Sequence, residues 1–137
     1  MPLDIIHQPE RDLTTFVAKG YPSVAEILRT YREVKENYGL TKHSLWDGRE
    51  ASFTHFARHD LAMLDHFLAL IQNNCAQRVG GRSALLFGNT RDAGLFWDFA
   101  KLNYRLPQRR QVVLSLEAAL AWAEKGIAPR NHSNIPW

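Results

Sequence analysis

Short apolar runs alternate along this chain with longer stretches in which apolar residues recur every three or four positions. A run of four to eight apolar or β-branched residues predicts a strand, and apolar residues at helical spacing predict an amphipathic helix. Strands are predicted at 3–8, 13–18, 44–47, 84–87 and 111–114. Helices are predicted from 24 to 38, from about 56 to 75, from the turn at 88–90 to before 107, and from 116 to 125.

Capping residues support the ends of these predicted helices. Ser23 and Glu26 have the spacing of a capping box, in which each side chain bonds the backbone amide of the other residue. Ser115 stands where it can cap the last helix. Gly39 and Gly126 follow the first and last helices, where glycine commonly ends a helix.

The run 84–87 is apolar on both faces, as is typical of an inner strand of a parallel sheet covered by helices. The first two strands are joined by a tight turn and predict an antiparallel hairpin. The order ββαβαβαβα then predicts an α/β fold, with a mixed, mainly parallel five-stranded sheet, an N-terminal hairpin and four helices, and with 84–87 central. We expect one domain over 1–126 and an extended C-terminal tail over 127–137.

Charge changes this picture little. The 137 residues carry a net charge of +3, with nine Lys and Arg against ten Asp and Glu in 1–81, and eight against four in 82–137. We interpret the basic second half as a solvated surface, with an anion-facing or nucleic-acid-facing surface as the alternative. We expect no nucleic-acid partner, and a peripheral membrane contact belongs to the lipid-binding alternative given below. The single cysteine, Cys75, excludes an internal disulfide. Without a signal-like N-terminus or an 18-residue apolar run, we expect a cytoplasmic protein.

The segment 88–94 carries the clearest candidate chemistry. It lacks the Lys-Ser/Thr of a phosphate-binding P-loop, yet it lies between a strand and a helix, where ligands bind α/β sheets. Asn89, Thr90 and Arg91 are therefore candidate binding residues, and Arg91 is suited to a small anion. The alternative is a simple turn.

The sequence gives little other indication of a catalytic or metal-binding site. No Gly-x-Ser-x-Gly motif, Ser/His/Asp arrangement or pair of carboxylates at catalytic spacing stands out, so we expect neither an enzyme nor a cofactor. His55, His59 and His66 would share a face if the second helix included all three. No third ligand at a suitable spacing accompanies them, so we expect no metal and interpret them as solvated or packed histidines.

The run Arg82-Ser-Ala-Leu-Leu-Phe-Gly-Asn-Thr-Arg-Asp-Ala-Gly-Leu-Phe96, with 111–122, resembles the C-terminal half of the STAS-like (SpoIIAA-like) family of small bacterial proteins. The segments 23–28 and 44–47 match the same pattern, so the resemblance covers about residues 12–125. It implies the α/β fold described above. It also implies partner binding or regulation, and the fold is similar to that of lipid-carrying modules.

The resemblance further directs attention to the region after the third strand. Switch members of the family carry an Asp-Ser-Ser-Gly-like element there, with a phosphorylatable serine at a helix N-terminus. This chain departs from that pattern over Asp47-Gly-Arg-Glu-Ala-Ser-Phe-Thr54. Ser52 or Thr54 would then stand near the helix start, where a phosphate is favoured, and the alternative is a plain N-cap hydroxyl.

The sequence therefore predicts a non-catalytic STAS-like module that binds a protein partner or itself. The alternative is a protein that binds a lipid or other small apolar ligand, with helices near Phe96 and Trp97 opening over a cavity of a few hundred Å³. Eight residues are predicted to bind the ligand or partner: Asp47, Arg49, Ser52, Asn89, Thr90, Arg91, Phe96 and Trp97. The tail ends in Ile135 and Trp137, so we also expect it to dock on its own domain or on a second copy.

Overall fold

A computed structural model describes residues 3–72, 80–101 and 108–128. Nine regular elements follow one another in the order that the sequence predicts, with one turn of 3₁₀ helix between the first two strands. They are β1 (Leu3–Gln8), β2 (Leu13–Gly20), α1 (Val24–Asn37), β3 (His43–Ala51), α2 (Arg58–Gln72), β4 (Gly81–Phe87), α3 (Thr90–Lys101), β5 (Gln108–Val113) and α4 (Leu116–Lys125).

The five strands form one sheet in the order β1-β2-β3-β4-β5. β1 pairs with β2 antiparallel, with Leu3 opposite Ala18, and the other neighbours are parallel. This confirms the predicted mixed, mainly parallel sheet with its N-terminal hairpin. The run 84–87 lies in β4, an inner strand between β3 and β5, while the middle of the sheet is β3.

Chain direction decides how the helices are shared between the two faces. The three crossovers step the same way across the sheet, and right-handed crossovers in one direction place their helices on one face. The larger core lies on the side of α1, α2 and α3, and includes Phe16, Tyr31 and Leu85. The smaller core lies beneath α4, where Leu45 and Leu86 pack against Trp122.

The caps form largely as predicted. The Ser23 side chain accepts from the amide of Glu26 at 3.1 Å, and the Glu26 carboxylate accepts from the amide of Ser23 at 2.9 Å. Ser115 caps α4, and Gly126 ends it in the left-handed region at φ 70°. α1 ends one residue earlier than predicted, at a Tyr38 cap, and Gly39 follows with φ 81° and donates to the carbonyl of Val34.

Several strand boundaries differ from the prediction. β3 continues beyond its predicted end at 47 to Ala51, and β2 continues beyond 18 to Gly20 beside it. β4 and β5 each begin three residues earlier than predicted. The early residues of β5 are polar, so the apolar pattern does not show that they pair with β4.

Two further details concern the helices. An apolar residue at the start of α4, Leu116, predicts an inward-facing side chain, but it is 41% exposed. His55 lies before Arg58, where α2 begins, so the second helix includes only His59 and His66 of the three histidines. The predictions for Cys75, for the end of the third helix near 107 and for the tail beyond 128 lie outside the described residues.

Candidate functional site

An open cleft of about 330 Å³ lies at the carboxyl end of the parallel strands. One wall comes from the loop after β3, and the other comes from the first turns of α3. Its lining residues are Phe53, Thr54, Phe56, Arg91, Asp92 and Leu95. Ligands of α/β proteins commonly bind at this end of the sheet, because the strands end there and the helices that follow them begin there.

Backbone and side-chain hydrogen bonds hold the loop after β3 in place. The amide of Ser52 donates to the carbonyl of Gly20 at 2.8 Å, which continues the pairing of β2 with β3. The Nε2 atom of His55 lies 2.7 Å from the carbonyl oxygen of Pro22. Phe53 lies between these two anchors and Phe56 directly follows the second; both are buried, so the loop presents aromatic rings to the cleft from a fixed backbone.

The second wall begins with a side-chain cap. The Oδ1 atom of Asn89 accepts from the amide of Asp92 at 2.8 Å, and its Nδ2 atom donates to the Asp92 carboxylate at 3.3 Å. Thr90 is the first residue of α3 and is exposed. Asn89 therefore serves to hold the turn at the start of α3, as the alternative interpretation expects. Arg91, by contrast, is exposed on the cleft wall. Among the residues that the structure describes, Arg91 makes no ion pair.

A cluster of phenylalanine rings forms the floor of the cleft. The ring centroid of Phe53 lies 5.4 Å from that of Phe56, 5.7 Å from Phe87 and 5.0 Å from Phe96. Phe96, one of the predicted binding residues, is buried in the core beneath the floor and does not line this cleft. Trp97 is partly buried, and the Lys101 ammonium lies 4.2 Å from the centre of its ring.

Asp47 and Arg49 both lie on β3, which continues past its predicted end at 47. Asp47 alternates in phase with Leu45, which packs beneath α4, and Arg49 bonds to its carboxylate, so the pair lies toward the α4 face of the sheet and neither residue lines the cleft. The Arg49 guanidinium donates two hydrogen bonds to the Asp47 carboxylate, at 3.0 and 2.8 Å. These bonds hold the pKa of Asp47 below its usual value, against the opposing effect of burial. The pair satisfies itself and does not reach the cleft.

Ser52 and Thr54 do not lie at a helix start. α2 begins at Arg58, and the Asp60 carboxylate accepts from the amide of Ala57 at 2.7 Å. The Ser52 hydroxyl instead donates to the Thr54 hydroxyl at 3.2 Å within the loop. A phosphate on either hydroxyl would therefore not lie at the first turn of α2, and neither hydroxyl caps this helix. Thr54 contributes to the cleft as a lining residue.

A second cavity of about 60 Å³ lies between the sheet and α1, α2 and α3. Most of its lining is apolar, but residues with polar side chains also border it, among them Asp47, Gln72, Ser83, Gln108 and Arg110. Apart from Asp47, none of these was predicted from the sequence, because a polar residue on a strand or a helix normally indicates an exposed face. The one available signal was the run Gln-Arg-Arg-Gln at 108–111, in which alternate residues must face the helices.

Sequence reasoning also missed the apolar part of the cleft, at Phe53, Phe56 and Leu95. Their position after two neighbouring parallel strands was the signal that could have found them. In the described ranges, no group of three or more His, Cys, Asp or Glu side chains is placed to hold a metal ion. None of the helices there combines the length and the hydrophobicity needed to cross a membrane.

Comparison of this chain with protein families and with curated proteins identifies no relative. No protein-family model matches the chain, and a search of curated proteins gives no match. The function of this chain must therefore be inferred from the cleft, the inner cavity and the residues around them.

Proposed function

We propose that this protein is a non-catalytic, cytoplasmic module that recognises a protein partner through the cleft at the carboxyl end of its sheet. The observation that carries the proposal is the composition of the cleft. Buried aromatic rings form its floor, while its wall carries the exposed Arg91, which makes no ion pair with any residue that the structure describes. Such a combination suits a peptide segment that inserts an apolar side chain and places a carboxylate beside it.

The two parts of the cleft would make different contributions. An apolar partner side chain would be removed from water against Phe53, Phe56 and Leu95, which provides affinity. A carboxylate next to Arg91 would also lie near the N-terminal end of α3, whose dipole favours negative charge. The Asp92 carboxylate is already engaged by Asn89 and buried, so we assign it to holding the helix start rather than to acid–base chemistry.

The size of the inner cavity bears on the alternative, a carrier of a lipid or another large apolar ligand. Pockets that enclose such ligands measure about 300–1,000 Å³. The cavity beneath α1, α2 and α3 measures about 60 Å³. This inner cavity is too small for such a ligand, whereas the open cleft of about 330 Å³ suits a protein segment, which favours partner binding over an enclosed lipid.

Affinity capture from the protein's own host, followed by titration with the purified partner, tests this function. The charge-reversing variant Arg91→Glu and the cleft-filling variant Thr54→Trp alter exposed side chains, so both should fold. Arg32→Glu makes the same charge reversal on the exposed side of α1 and is the matched control.

We expect a partner that binds the wild type and Arg32→Glu alike. Loss of one charge-assisted contact should weaken its binding to Arg91→Glu by about tenfold or more, and Thr54→Trp should also bind weakly. Equal binding to all four proteins would show that the cleft does not carry the recognition.

A further inference from the structure

The inner cavity is apolar over most of its wall and polar at the end near β5. Residues of all five strands line it, from Leu3 on β1 to Arg110 on β5, so it extends across the sheet. Its polar wall is formed by Ser83, Gln108 and Arg110 from the sheet, with Gln72 from the end of α2 above them. The polar groups of a ligand would therefore bind at the end of the cavity near β5.

Several contacts fix the Arg110 side chain, but they leave one of its donor atoms unused. Its side chain is 5% exposed, and its Nη1 atom donates to Asp65 at 2.7 Å and to the carbonyl of Phe99 at 3.1 Å. The guanidinium also stacks on the Phe99 ring, 4.1 Å from its centre. Its Nη2 atom is buried and has no hydrogen-bond partner in the part of the chain that the structure describes.

Gln72 has a buried acceptor atom that likewise makes no hydrogen bond with the described residues. Its side chain is also buried, at 5% exposure, and its Oε1 atom lacks a partner within the described ranges. A buried polar atom without a partner costs about 1–3 kcal/mol. Both residues line the same cavity, and one of the two atoms is a donor while the other is an acceptor, so a guest that both accepts and donates a hydrogen bond could remove both deficits.

Charge narrows the chemical class of this guest. Asp65 already neutralises Arg110, and an arginine in a protein keeps its charge. An anionic ligand would bring a second buried negative charge without a second cation, which is strongly unfavourable. A hydroxyl group carries no charge, accepts from a guanidinium and donates to an amide oxygen.

We propose that this cavity is a binding site for a small uncharged alcohol, with the hydroxyl between Arg110 Nη2 and Gln72 Oε1 and the hydrocarbon part along the aromatic wall. Size sets the length of the guest, because an apolar cavity of about 150 Å³ is needed to hold benzene. A cavity of about 60 Å³ suits a chain of two to four carbons. Phe53 borders both this cavity and the surface cleft, so its ring lies between the site and solvent.

Titration of the full chain with 1-propanol, followed by two-dimensional NMR, tests the proposal. Saturable shifts should appear at residues around the cavity, such as Phe99 and Ser83. Propionate has a similar size but is charged, and it should give no saturable shift there. Within a series of primary alcohols, affinity should fall at 1-hexanol, which exceeds the space available.

The variant Gln72→Met separates binding from folding. Because the Oε1 atom has no partner to lose and methionine is of similar size, this variant should stay folded while it binds 1-propanol about tenfold more weakly, the effect of one lost hydrogen bond. Arg110→Lys keeps a cation for Asp65 and removes the Nη2 donor, so it is a second variant with the same expected loss of binding. These measurements are independent of the partner-binding cleft.

Three results would each overturn the proposal. If 1-propanol gives no saturable shift in the wild type, the two polar atoms are hydrated by water only. If propionate binds as well as 1-propanol, the charge argument is wrong. If the folded Gln72→Met and Arg110→Lys proteins both bind 1-propanol like the wild type, the hydroxyl does not lie between these two side chains.

Discussion

Replacement of Phe96 by alanine should lower the free energy of unfolding by about 3–5 kcal/mol, the range observed for buried phenylalanines. Phe96 is 5% exposed, and four other phenylalanine rings surround it. Its ring centroid lies 5.0 Å from those of Phe53 and Phe87, 5.4 Å from Phe99 and 6.0 Å from Phe56. The substitution would therefore open a cavity in the centre of this cluster.

Two contributions make up the expected loss. Removing a buried phenylalanine side chain forfeits a burial free energy of about 2–3 kcal/mol. Each well-placed ring pair adds about 0.5–1.5 kcal/mol, although pairs that share one ring do not add fully. For a chain of this length, the sum corresponds to a decrease in melting temperature of about 10–20 °C.

Urea unfolding monitored by tryptophan fluorescence would measure this loss from the shift in midpoint at constant slope. Phe67→Ala is the matched control, because Phe67 lies on α2 with 37% of its surface exposed, and it should cost less than about 1 kcal/mol. If Phe96→Ala does not fold, Phe96→Leu should still cost about 1–2 kcal/mol. A cost for Phe96→Ala no greater than that for Phe67→Ala would refute the assignment of Phe96 to the core.

Three further outcomes are expected. Gly48→Ala should cost about 1–3 kcal/mol in the same urea assay, because its Cβ would lie 3.0 Å from Cε2 of Phe53, and an unchanged midpoint would contradict this. Arg49 lowers the pKa of Asp47 in the folded protein, so the stability from this pair is complete at neutral pH and is lost as the pH falls through that lowered pKa. The melting temperatures of wild type and Asp47→Asn should therefore differ at pH 7 and converge toward pH 3, and a constant difference would argue against the pair. Deletion of 127–137 should lower the melting temperature or dissociate an oligomer, and a truncated protein with unchanged melting point and solution mass would show that the tail does not dock.

The fold was predictable because its apolar periodicities and helix caps agree with one another. The ends of the strands were less predictable from the sequence, and β5 shows the reason. Gln108 is buried against Ser44 and the carbonyl of Lys42, and Arg110 is buried against Asp65. Such polar contacts depend on residues distant in the sequence, so a local pattern cannot indicate them.

The candidate site was predicted in part for a similar reason. Asn89 and Arg91 follow a strongly apolar strand, which locates them at its carboxyl end from local sequence alone. The contribution of Phe53 depends on the path of the loop after β3, which is set by contacts with the segment before α1. Asp47 and Arg49 were assigned to the same site because the sequence did not show that β3 continues past them and turns their side chains to the other face.

The single helix on the second face of the sheet has a consequence for folding during synthesis. Until α4 has left the ribosome, nothing among the described residues covers the face that carries Leu45, Leu86 and Val113. At about 5–20 residues per second, nearly the whole chain exists for some seconds with this apolar surface open to water. Arg82, at the start of β4, donates to the carbonyl groups of Trp122 and Ala123 and holds the end of α4 once it arrives. Closing this face is thus a step that waits for α4, and nascent chains that stall before α4 keep an apolar surface exposed that the folded protein covers.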